Sequence, residues 1–214
     1  VLFRSPDYNL NINQMSHGQM TAKMMEKIEP ILMDEKPNGV LVYGDTNSTL
    51  AGSLTAAKLH MPVFHVEAGL RSYNRGMPEE INRVLTDHLS SLLFCPTENA
   101  VNILAKEGIQ KGVKNCGDVM VDAFLKFNQQ IENDENKRPE VDFPYVLTTI
   151  HRPENTDNTN NLISVFKELD KINEKIRVVL PLHPRPNVQL QKFGIQTKIP
   201  WIDPVSYFSI LTLF

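Results

Sequence analysis

The sequence predicts an α/β fold built of doubly wound parallel sheets, in which helices cover both sheet faces. Two observations carry this prediction. Short apolar runs of strand length alternate with longer segments in which apolar residues recur every three or four positions. A charged stretch then interrupts the alternation, which starts again beyond it, and such a break is typical of a boundary between two domains.

The first half of the chain contains four predicted strands, and a helix follows each of them. In order, the predicted elements are a helix at 18–33, a strand at 40–43, a helix at 48–59, a strand at 62–66, a helix at 78–89, a strand at 92–95, a helix at 97–106, a strand at 113–116 and a helix at 119–131. Thr97 suits the N-cap of its helix, and Gly108 suits the stop that follows it. Pro78 suits the first turn of a helix, and the apolar residues that follow it along this helix are Ile81, Val84, Leu85 and Leu89.

Residues 132 to 142 are charged and almost without apolar side chains, so they cannot bury themselves and suit a linker or hinge. We therefore predict an N-terminal Rossmann-like domain at 1–135 and the start of a second one at 143–214. The chain begins without a methionine and stops within an apolar pattern, so both domains are expected to be incomplete. The second domain is predicted to contain strands at 145–150 and 178–182, and helices at 162–172 and around 189–193.

Composition excludes several classes of function. The net charge is −3, from 22 basic and 25 acidic residues, which gives no general attraction to nucleic acid or to an anionic membrane. The apolar runs are far shorter than the roughly 20 residues that cross a bilayer, and the N-terminus has no signal pattern, so a cytoplasmic protein is expected. Cys95 and Cys116 lie in apolar stretches, which predicts buried free thiols.

Polar residues follow five of the predicted strands. Because the carboxyl ends of parallel strands meet at one rim, where ligands bind, these residues are the first candidates for a site. The five stretches are Gly44-Asp45-Thr46-Asn47-Ser48, Glu67-Ala68-Gly69-Leu70-Arg71, Gly117-Asp118, His151-Arg152-Pro153-Glu154-Asn155 and His183-Pro184-Arg185. Acids and cations at successive strand ends indicate acid–base chemistry on an anionic substrate.

Several of these residues also have a purely structural interpretation. Asp45 could form an Asx turn or cap the helix that follows. Glu67 could simply pair with Arg71, four residues later. Glu79 and Glu80 suit the first turn of a helix, because carboxylates there gain about 0.3 to 1 kcal/mol from the helix dipole. The histidines lack the spacing of a metal site, so no metal is predicted.

Taken together, the motifs resemble those of one enzyme family. The matching stretches are Gly44-Asp45-Thr46-Asn47-Ser48-Thr49-Leu50-Ala51, His65-Val66-Glu67-Ala68-Gly69-Leu70-Arg71, Pro78-Glu79-Glu80-Ile81-Asn82-Arg83, Pro96-Thr97-Glu98 and His151-Arg152-Pro153-Glu154-Asn155. In this order they resemble signature stretches of the non-hydrolysing UDP-N-acetylglucosamine 2-epimerases. The resemblance extends from about Pro6 to the end of the chain, and several long motifs in order are far more specific than a lone glycine pattern.

The resemblance implies a glycosyltransferase-B-like fold, with a UDP-sugar in the cleft between two Rossmann-like domains, no cofactor and a homodimer. It implies that UDP-GlcNAc and UDP-ManNAc are interconverted for cell-surface polysaccharide synthesis, by elimination and re-addition of UDP through a 2-acetamidoglucal. Asp45, Glu67 and Glu79 match the family's catalytic carboxylates, which would serve the two faces of C2. His151 matches the essential histidine near the diphosphate.

The resemblance also implies binding residues. Arg71, Arg152 and His183 match positions implicated in substrate or regulatory UDP-sugar binding, and Arg185 would help to offset the charge on UDP. Gln19 matches a glutamine that contacts an allosteric UDP-N-acetylglucosamine in bacterial members. The family's opening strand with its basic loop, and the later Ser-Gly-Gly and Glu-Glu stretches that hold uridine and ribose, have no counterpart in this chain.

Four alternatives remain open at this point. A hydrolysing relative, which releases N-acetylmannosamine and UDP, would use much the same residues. A close variant acts on a UDP-2,3-diacetamido sugar. A non-catalytic UDP-sugar-binding module would not need Asp45, Glu67 and Glu79 together, and a glycosyltransferase of the same fold does not normally carry these carboxylate motifs.

Overall fold

The computed structural model describes residues 4–132, 144–182 and 184–213. The chain forms two compact units, Val1–Val121 and Asp122–Phe214. Each unit has a parallel sheet with its own helices. The predicted linker lies almost entirely outside the described residues, so the domain limits at 135 and 143 stay predictions.

The sheet of the first unit has four parallel strands in the order β1-β2-β3-β4. Neighbouring strands pair so that Tyr43 lies opposite Val66, and Val66 lies opposite Phe94. The carboxyl ends of the first three strands therefore lie side by side at one rim. The elements are α1 His17–Glu35, β1 Val40–Tyr43, α2 Asn47–Lys58, β2 Val63–Val66, α3 Pro78–Leu89, β3 Leu92–Cys95, α4 Glu98–Lys106, β4 Val113–Asn115 and α5 Val119–Glu132, which continues into the second unit.

Local sequence explains where these helices begin and end. Thr46 caps α2 because its side chain accepts a hydrogen bond from the backbone N–H of Thr49. Thr97 caps α4 in the same way, through the N–H of Ala100, as predicted. Gly108 follows α4 with φ +84°, a left-handed conformation that suits glycine at a helix stop.

The core of the first unit combines strand residues with residues of the neighbouring helices and of the turn after β2. One cluster consists of Ala68, Leu93, Cys95, Ala100 and Leu104, and a second consists of Leu32, Val42, Ala56 and Val63. The alanines let the helix backbones approach the strands closely, so the strand ends are held rigidly by packing. The polar stretches that follow the strands thus start from fixed points.

Helix α3 packs through a polar face. Its buried residues are polar or charged, whereas Ile81 and Leu85 are each 46% exposed. The physical reason is that the buried side chains are hydrogen-bonded to neighbouring loops, which offsets the cost of removing them from water. These side chains are Glu80, Asn82, Thr86 and Asp87.

The second unit has a three-stranded parallel sheet in the order β5-β6-β7. Asn158 caps its longest helix by accepting from the N–H groups of Asn160 and Asn161. The elements are β5 Tyr145–Leu147, α6 Pro153–Thr156, α7 Thr159–Asn173, β6 Arg177–Pro181, α8 Pro184–Phe193, β7 Trp201–Ile202 and α9 Tyr207–Leu211. The core consists of Ile150, Leu162, Phe166, Leu169, Val178, Leu180, Leu182, Leu190 and Ile199.

The α/β class and its parallel sheets are confirmed. Among the described strands, spatial order follows chain order, so the reversal that defines a doubly wound sheet is not among them. Cys95 is buried as predicted, but the prediction for Cys116 is wrong, because this residue follows β4, whose last two residues are already exposed. Within the described residues, no helix is long and apolar enough to cross a membrane.

Candidate active site

Glu67 and Gly44 lie against each other at the ends of β2 and β1. The backbone N–H of Gly44 donates to the carbonyl oxygen of Val66 at 3.1 Å, which continues the pairing of the two strands. Both residues have left-handed backbones, with φ of +63° at Gly44 and +72° at Glu67. A Cβ added to Gly44 would lie 3.2 Å from Oε2 of Glu67, so the carboxylate lies over the glycine.

Asp45 is the next residue along this rim, and α3 holds it in two places. Nη2 of Arg83 donates to Oδ2 of Asp45 at 2.9 Å, and Nδ2 of Asn82 donates to the carbonyl oxygen of Asp45 at 2.9 Å. The side chain of Asp45 is 35% exposed. Thr46, and not Asp45, caps the following helix. The capping interpretation of Asp45 is therefore not what the structure shows.

Glu79 lies in the first turn of α3 and is half-buried. Residues three and four positions apart share one face of a helix, so Glu79 shares a face with Asn82 and Arg83, the two residues that contact Asp45. In the part of the chain that the structure describes, no side chain pairs with the carboxylates of Glu67 or Glu79. Asp45 and Glu67 thus lie at one rim of the first unit, and Glu79 lies on the face of α3 that contacts Asp45.

A buried polar cluster lies beneath this rim. Asp87, on α3, accepts from the N–H of Gly69 at 3.1 Å and from Arg71 Nη1 at 2.7 Å, and its Oδ1 lies 2.7 Å from Nδ1 of His65. The side chains of His65 and Asp87 are 0% exposed. Arg71 also binds the more exposed Glu107 through two hydrogen bonds, at 2.9 and 2.7 Å. We call His65, Arg71 and Asp87 the buried cluster.

Arg71 is a member of this cluster, and its guanidinium pairs with Asp87 and Glu107 rather than with Glu67. Its side chain is 1% exposed. Burial opposes the charge, but the hydrogen bonds to Glu107 and Asp87 outweigh burial, so the pKa of Arg71 is raised. Its contact with a UDP-sugar stays a prediction, whereas its role in holding the loop after β2 is visible in the structure.

Glu80, next to Glu79, fixes the loop between β2 and α3. Its carboxylate accepts from the N–H of Ser72 at 2.8 Å, from the Ser72 hydroxyl at 3.0 Å, from the N–H of Tyr73 at 3.0 Å and from Arg83 at 3.2 Å. Burial raises the pKa of the carboxyl group, but these donors outweigh burial and lower it overall. The two adjacent glutamates thus have different surroundings.

His151 and Arg152 are exposed and follow β5 in the second unit. His151 lines a depression of about 230 Å³ together with Thr149, Ile150, Pro181, Pro204, Val205 and Ile210. These residues lie at or beyond the carboxyl ends of β5, β6 and β7, where ligands bind in parallel sheets. His183 lies outside the described residues. Arg185 lies in α8, and its side chain is outside what the structure describes.

Gln19 lies in the first turn of α1 and is exposed. Its side-chain Oε1 accepts from the hydroxyl of Ser16 at 3.1 Å. It lines a surface depression of about 480 Å³ with Met15, Ala22, Lys23 and Glu26. Nearby, Nδ1 of His17 lies 3.0 Å from Nδ2 of Asn47, which follows the Asp45 loop.

The strand-end reasoning missed the residues that hold the carboxylates. Asn82 and Arg83 donate hydrogen bonds to Asp45, and His65 and Asp87 contact each other beneath the rim. One sequence signal for them exists, because Glu80, Arg83 and Asp87 recur at three and four positions and form a polar stripe on α3. Within the described residues, no group of three or more histidine, cysteine or acidic side chains could hold a metal ion.

Comparisons with known proteins agree on one family. The sequence model of the UDP-N-acetylglucosamine 2-epimerase family matches residues 1–214. The chain is 47% identical over 212 residues to a UDP-2,3-diacetamido-2,3-dideoxy-D-glucuronate 2-epimerase of Pseudomonas aeruginosa, a match that covers 97% of this chain and 59% of that protein. It is 45% identical over 224 residues to a UDP-N-acetylglucosamine 2-epimerase of Methanocaldococcus jannaschii, which covers 98% of this chain and 61% of that protein.

Solved structures give the same result. A UDP-GlcNAc 2-epimerase of M. jannaschii, in complex with UDP-GlcNAc and UDP, superposes with a TM-score of 0.87 at 45% identity, over 98% of this chain and 61% of that one. The enzyme of Neisseria meningitidis bound to UDP-GlcNAc gives 0.78 at 33% identity, over 98% and 61%. The glycosyltransferase-B-like fold class is thereby confirmed. The chain spans about 60% of the length of these relatives.

Proposed function

From the premise that this chain belongs to the UDP-N-acetylglucosamine 2-epimerase family, we propose that the protein is an isomerase that interconverts UDP-GlcNAc and UDP-ManNAc. One observation carries the proposal. Asp45 and Glu67 follow adjacent strands, and Glu79 lies on the face of α3 that contacts Asp45. Several carboxylates at one rim are what proton transfer on both faces of one carbon requires. Since the chain spans about 60% of its relatives, the activity is proposed for the whole protein.

The chemistry explains why more than one carboxylate is needed. The proton at C2 is not beside a carbonyl group, so its removal must be assisted by the departure of the diphosphate from C1. Elimination breaks the C2–H and C1–O bonds, forms the C1=C2 bond of a 2-acetamidoglucal and releases UDP with the electron pair. Re-addition forms the C1–O bond again and places a proton on the opposite face of C2. One carboxyl group takes the first proton and another supplies the second.

The departing UDP needs positive charge. We assign His151, Arg152 and Arg185 to this role, with His183 as a further substrate-binding residue, since charge-assisted hydrogen bonds are strongest where charge develops. The exposure of His151 and Arg152 beyond β5 supports the assignment, because both are accessible to a ligand. Neither the elimination nor the re-addition calls for a cofactor.

A second candidate substrate is a UDP-2,3-diacetamido sugar. The observation that favours it is the 47% identity to the P. aeruginosa enzyme that carries this substrate in its name. The carboxylates would act at C2 in the same way. The difference would lie in the residues that contact C3 and C6 of the sugar.

Incubation of the full-length protein in deuterated water tests both candidates. UDP-GlcNAc and the UDP-2,3-diacetamido sugar are supplied separately, and deuterium at C2, the nucleotide-bound epimer, free UDP and free N-acetylmannosamine are measured. We expect deuterium at C2 of a nucleotide-bound product. Stoichiometric N-acetylmannosamine and UDP would instead assign the hydrolysing reaction, and no deuterium uptake with either sugar would contradict the proposal.

We also propose a cytoplasmic homodimer. The exposed apolar residues Ile81 and Leu85 of α3 support this, because they line a groove with Arg75, Glu80 and Val84 that a second copy could cover. Measurement of the mass in solution tests the dimer, and Leu85→Asp is expected to shift it toward the monomer. A dimer that is unaffected by this change would place the interface elsewhere.

For Gln19 we propose contact with a regulatory UDP-N-acetylglucosamine. Its exposed position in a surface depression supports this. If the proposal holds, Gln19→Ala lowers the response of the reverse reaction to added UDP-N-acetylglucosamine and leaves binding of UDP-ManNAc intact. An unchanged response would remove Gln19 from any regulatory role.

A further inference from the structure

The side chain of His65 contacts the loop of Asp45 and a buried acid on α3. His65 lies on β2, two residues before Glu67, and its side chain is fully buried. Nδ1 lies 2.7 Å from Oδ1 of Asp87, and Nε2 lies 2.8 Å from the carbonyl oxygen of Gly44. The chemistry described above does not use this histidine.

Both ring nitrogens of His65 have an oxygen partner. A backbone carbonyl has no proton to give, so Nε2 donates to Gly44. The Oδ2 atom of Asp87 accepts from Arg71 and from the N–H of Gly69, and its Oδ1 atom faces Nδ1 of His65. The ring is therefore held at both nitrogens.

The bond to Gly44 fixes the peptide group that leads into Asp45. The N–H of Gly44 is held by Val66 and its carbonyl oxygen by His65, so the peptide plane between Gly44 and Asp45 cannot rotate without breaking a buried hydrogen bond. Two residues after Glu67, the N–H of Gly69 donates to Asp87, the same carboxylate that contacts His65. The pair His65 and Asp87 thus ties the Asp45 loop to the Glu67 loop.

We propose that His65 is a positioning residue, which sets the place of the Asp45 carboxylate relative to that of Glu67 through its contacts with Gly44 and Asp87. The inference rests on the proposed function. His65 touches no substrate, so its loss is expected to act on kcat. Misplacement of a reacting group by about 1 Å can cost about 10²-fold in rate.

Two substitutions each keep one of the two hydrogen bonds of His65 and remove the other. In His65→Asn, the amide nitrogen can replace Nδ1 and reach Asp87, but nothing replaces Nε2 at Gly44. In His65→Gln, the longer side chain can replace Nε2 and reach Gly44, but the bond to Asp87 is lost. Because the bond to Gly44 orients Asp45, we expect H65N to lower kcat by about 10²-fold with KM little changed, and H65Q to retain a kcat about tenfold or more above H65N.

Both variants lose a buried bond, so circular dichroism and urea unfolding of the full-length protein must first show that each is folded at the assay temperature. A purely structural role would lower the stability of both and leave their kcat values alike. Equal kcat for folded H65N and H65Q would therefore overturn the positioning role. A wild type that takes up no deuterium at C2 would contradict the proposed function instead.

Proton exchange at the histidine rings of the full-length wild type, labelled with ¹⁵N-histidine, tests the bond to Gly44 without any activity. Among the described histidines, His65 is the one whose side chain is fully buried, so we expect a slowly exchanging ring N–H, at Nε2. The absence of a slowly exchanging ring N–H would overturn the bond to Gly44, even if neither variant folds.

Discussion

The Glu67 carboxylate lies over the α-carbon of Gly44, close enough that an added Cβ would lie 3.2 Å from Oε2. Both residues have positive φ, which non-glycine residues rarely adopt. The absence of a side chain at residue 44 therefore serves two purposes. It permits the backbone conformation at the end of β1, and it leaves space for an acidic group that comes from the neighbouring strand.

A comparison of Gly44→Ala with Gly108→Ala distinguishes the effect of backbone strain from the effect of filling the space that the Glu67 carboxylate occupies. Gly108 also has positive φ, but a Cβ added there meets nothing within 4 Å. Each substitution should lower the free energy of unfolding by about 1 to 2 kcal/mol because of backbone strain. Only Gly44→Ala should also displace the Glu67 carboxylate and reduce kcat. Urea unfolding and steady-state kinetics of the two variants give the answer, and equal kcat values would contradict the expectation.

The left-handed backbone at Glu67 is expected to lower the stability of the protein, whereas its side chain is expected to be needed for turnover. Glu67→Gly relieves the left-handed strain and should raise the free energy of unfolding by up to about 1 kcal/mol, while turnover is lost. Glu67→Gln keeps the strain and removes only the charge, so stability should stay within about 0.5 kcal/mol. His60→Gly is the control, because His60 also has φ +60° but is exposed at the end of α2. It should gain stability without loss of turnover.

Neutral substitutions of Asp45 and Glu79 test their assignment as acid–base groups. Asp45→Asn and Glu79→Gln keep size and hydrogen bonding, so substrate binding should survive while turnover falls by about 10² to 10⁴. Asp122→Asn is the control, because Asp122 lies in the first turn of another helix, α5. If Glu79→Gln affected turnover no more than Asp122→Asn does, Glu79 would serve only the helix dipole.

The lowered pKa of Glu80 predicts a pH dependence of stability. A carboxyl group whose pKa is lower in the folded state stabilises the protein above its unfolded pKa of about 4.3, and this contribution is lost as pH falls through the folded value. Glu80→Gln should cost about 1 to 3 kcal/mol at pH 7, since buried donors lose a charged acceptor. The cost should shrink below about pH 4. Urea unfolding across this pH range, with exposed Glu29→Gln as the control, measures both effects.

The two cysteines should differ in reactivity. Burial, with help from Asp87 and Cys116, raises the pKa of Cys95 to about 11, so its thiol stays protonated and inert at pH 8. Cys116 is exposed and should be alkylated by iodoacetamide in the native protein. Peptide mass spectrometry before and after unfolding distinguishes them. Labelling of Cys95 in the native state at a rate similar to that of Cys116 would show that its strand opens readily.

Much of the fold could be predicted because strands and helices here follow simple apolar periods. The strand at Val40–Tyr43 and the cap at Thr97 lie where the sequence places them. Apolar spacing fails for α3, because Ile81 and Leu85 are exposed and Glu80 is buried. A periodicity argument assumes that the packed face is apolar, and this assumption breaks where a helix packs against polar loops of a site.

The candidate site could be predicted in part for the same reason. Asp45 and Glu67 follow apolar strands, so their position at one rim follows from parallel pairing alone. The contacts of His65 and Asp87 could not be predicted in this way, because these residues lie 22 positions apart and meet only through tertiary packing. Arg71 shows the same limit, since its partners come from two helices and not from the nearby Glu67.

The buried polar face of α3 limits how this protein can be redesigned for stability. Usual practice fills buried helix positions with leucine or isoleucine, and a hydropathy-guided redesign would select Glu80 and Asp87 first. Such a change would leave the backbone amides of Ser72, Tyr73 and Gly69, and one ring nitrogen of His65, without their hydrogen-bond partners. Replacement of this polar face by apolar residues would therefore destabilise the protein that it was meant to stabilise.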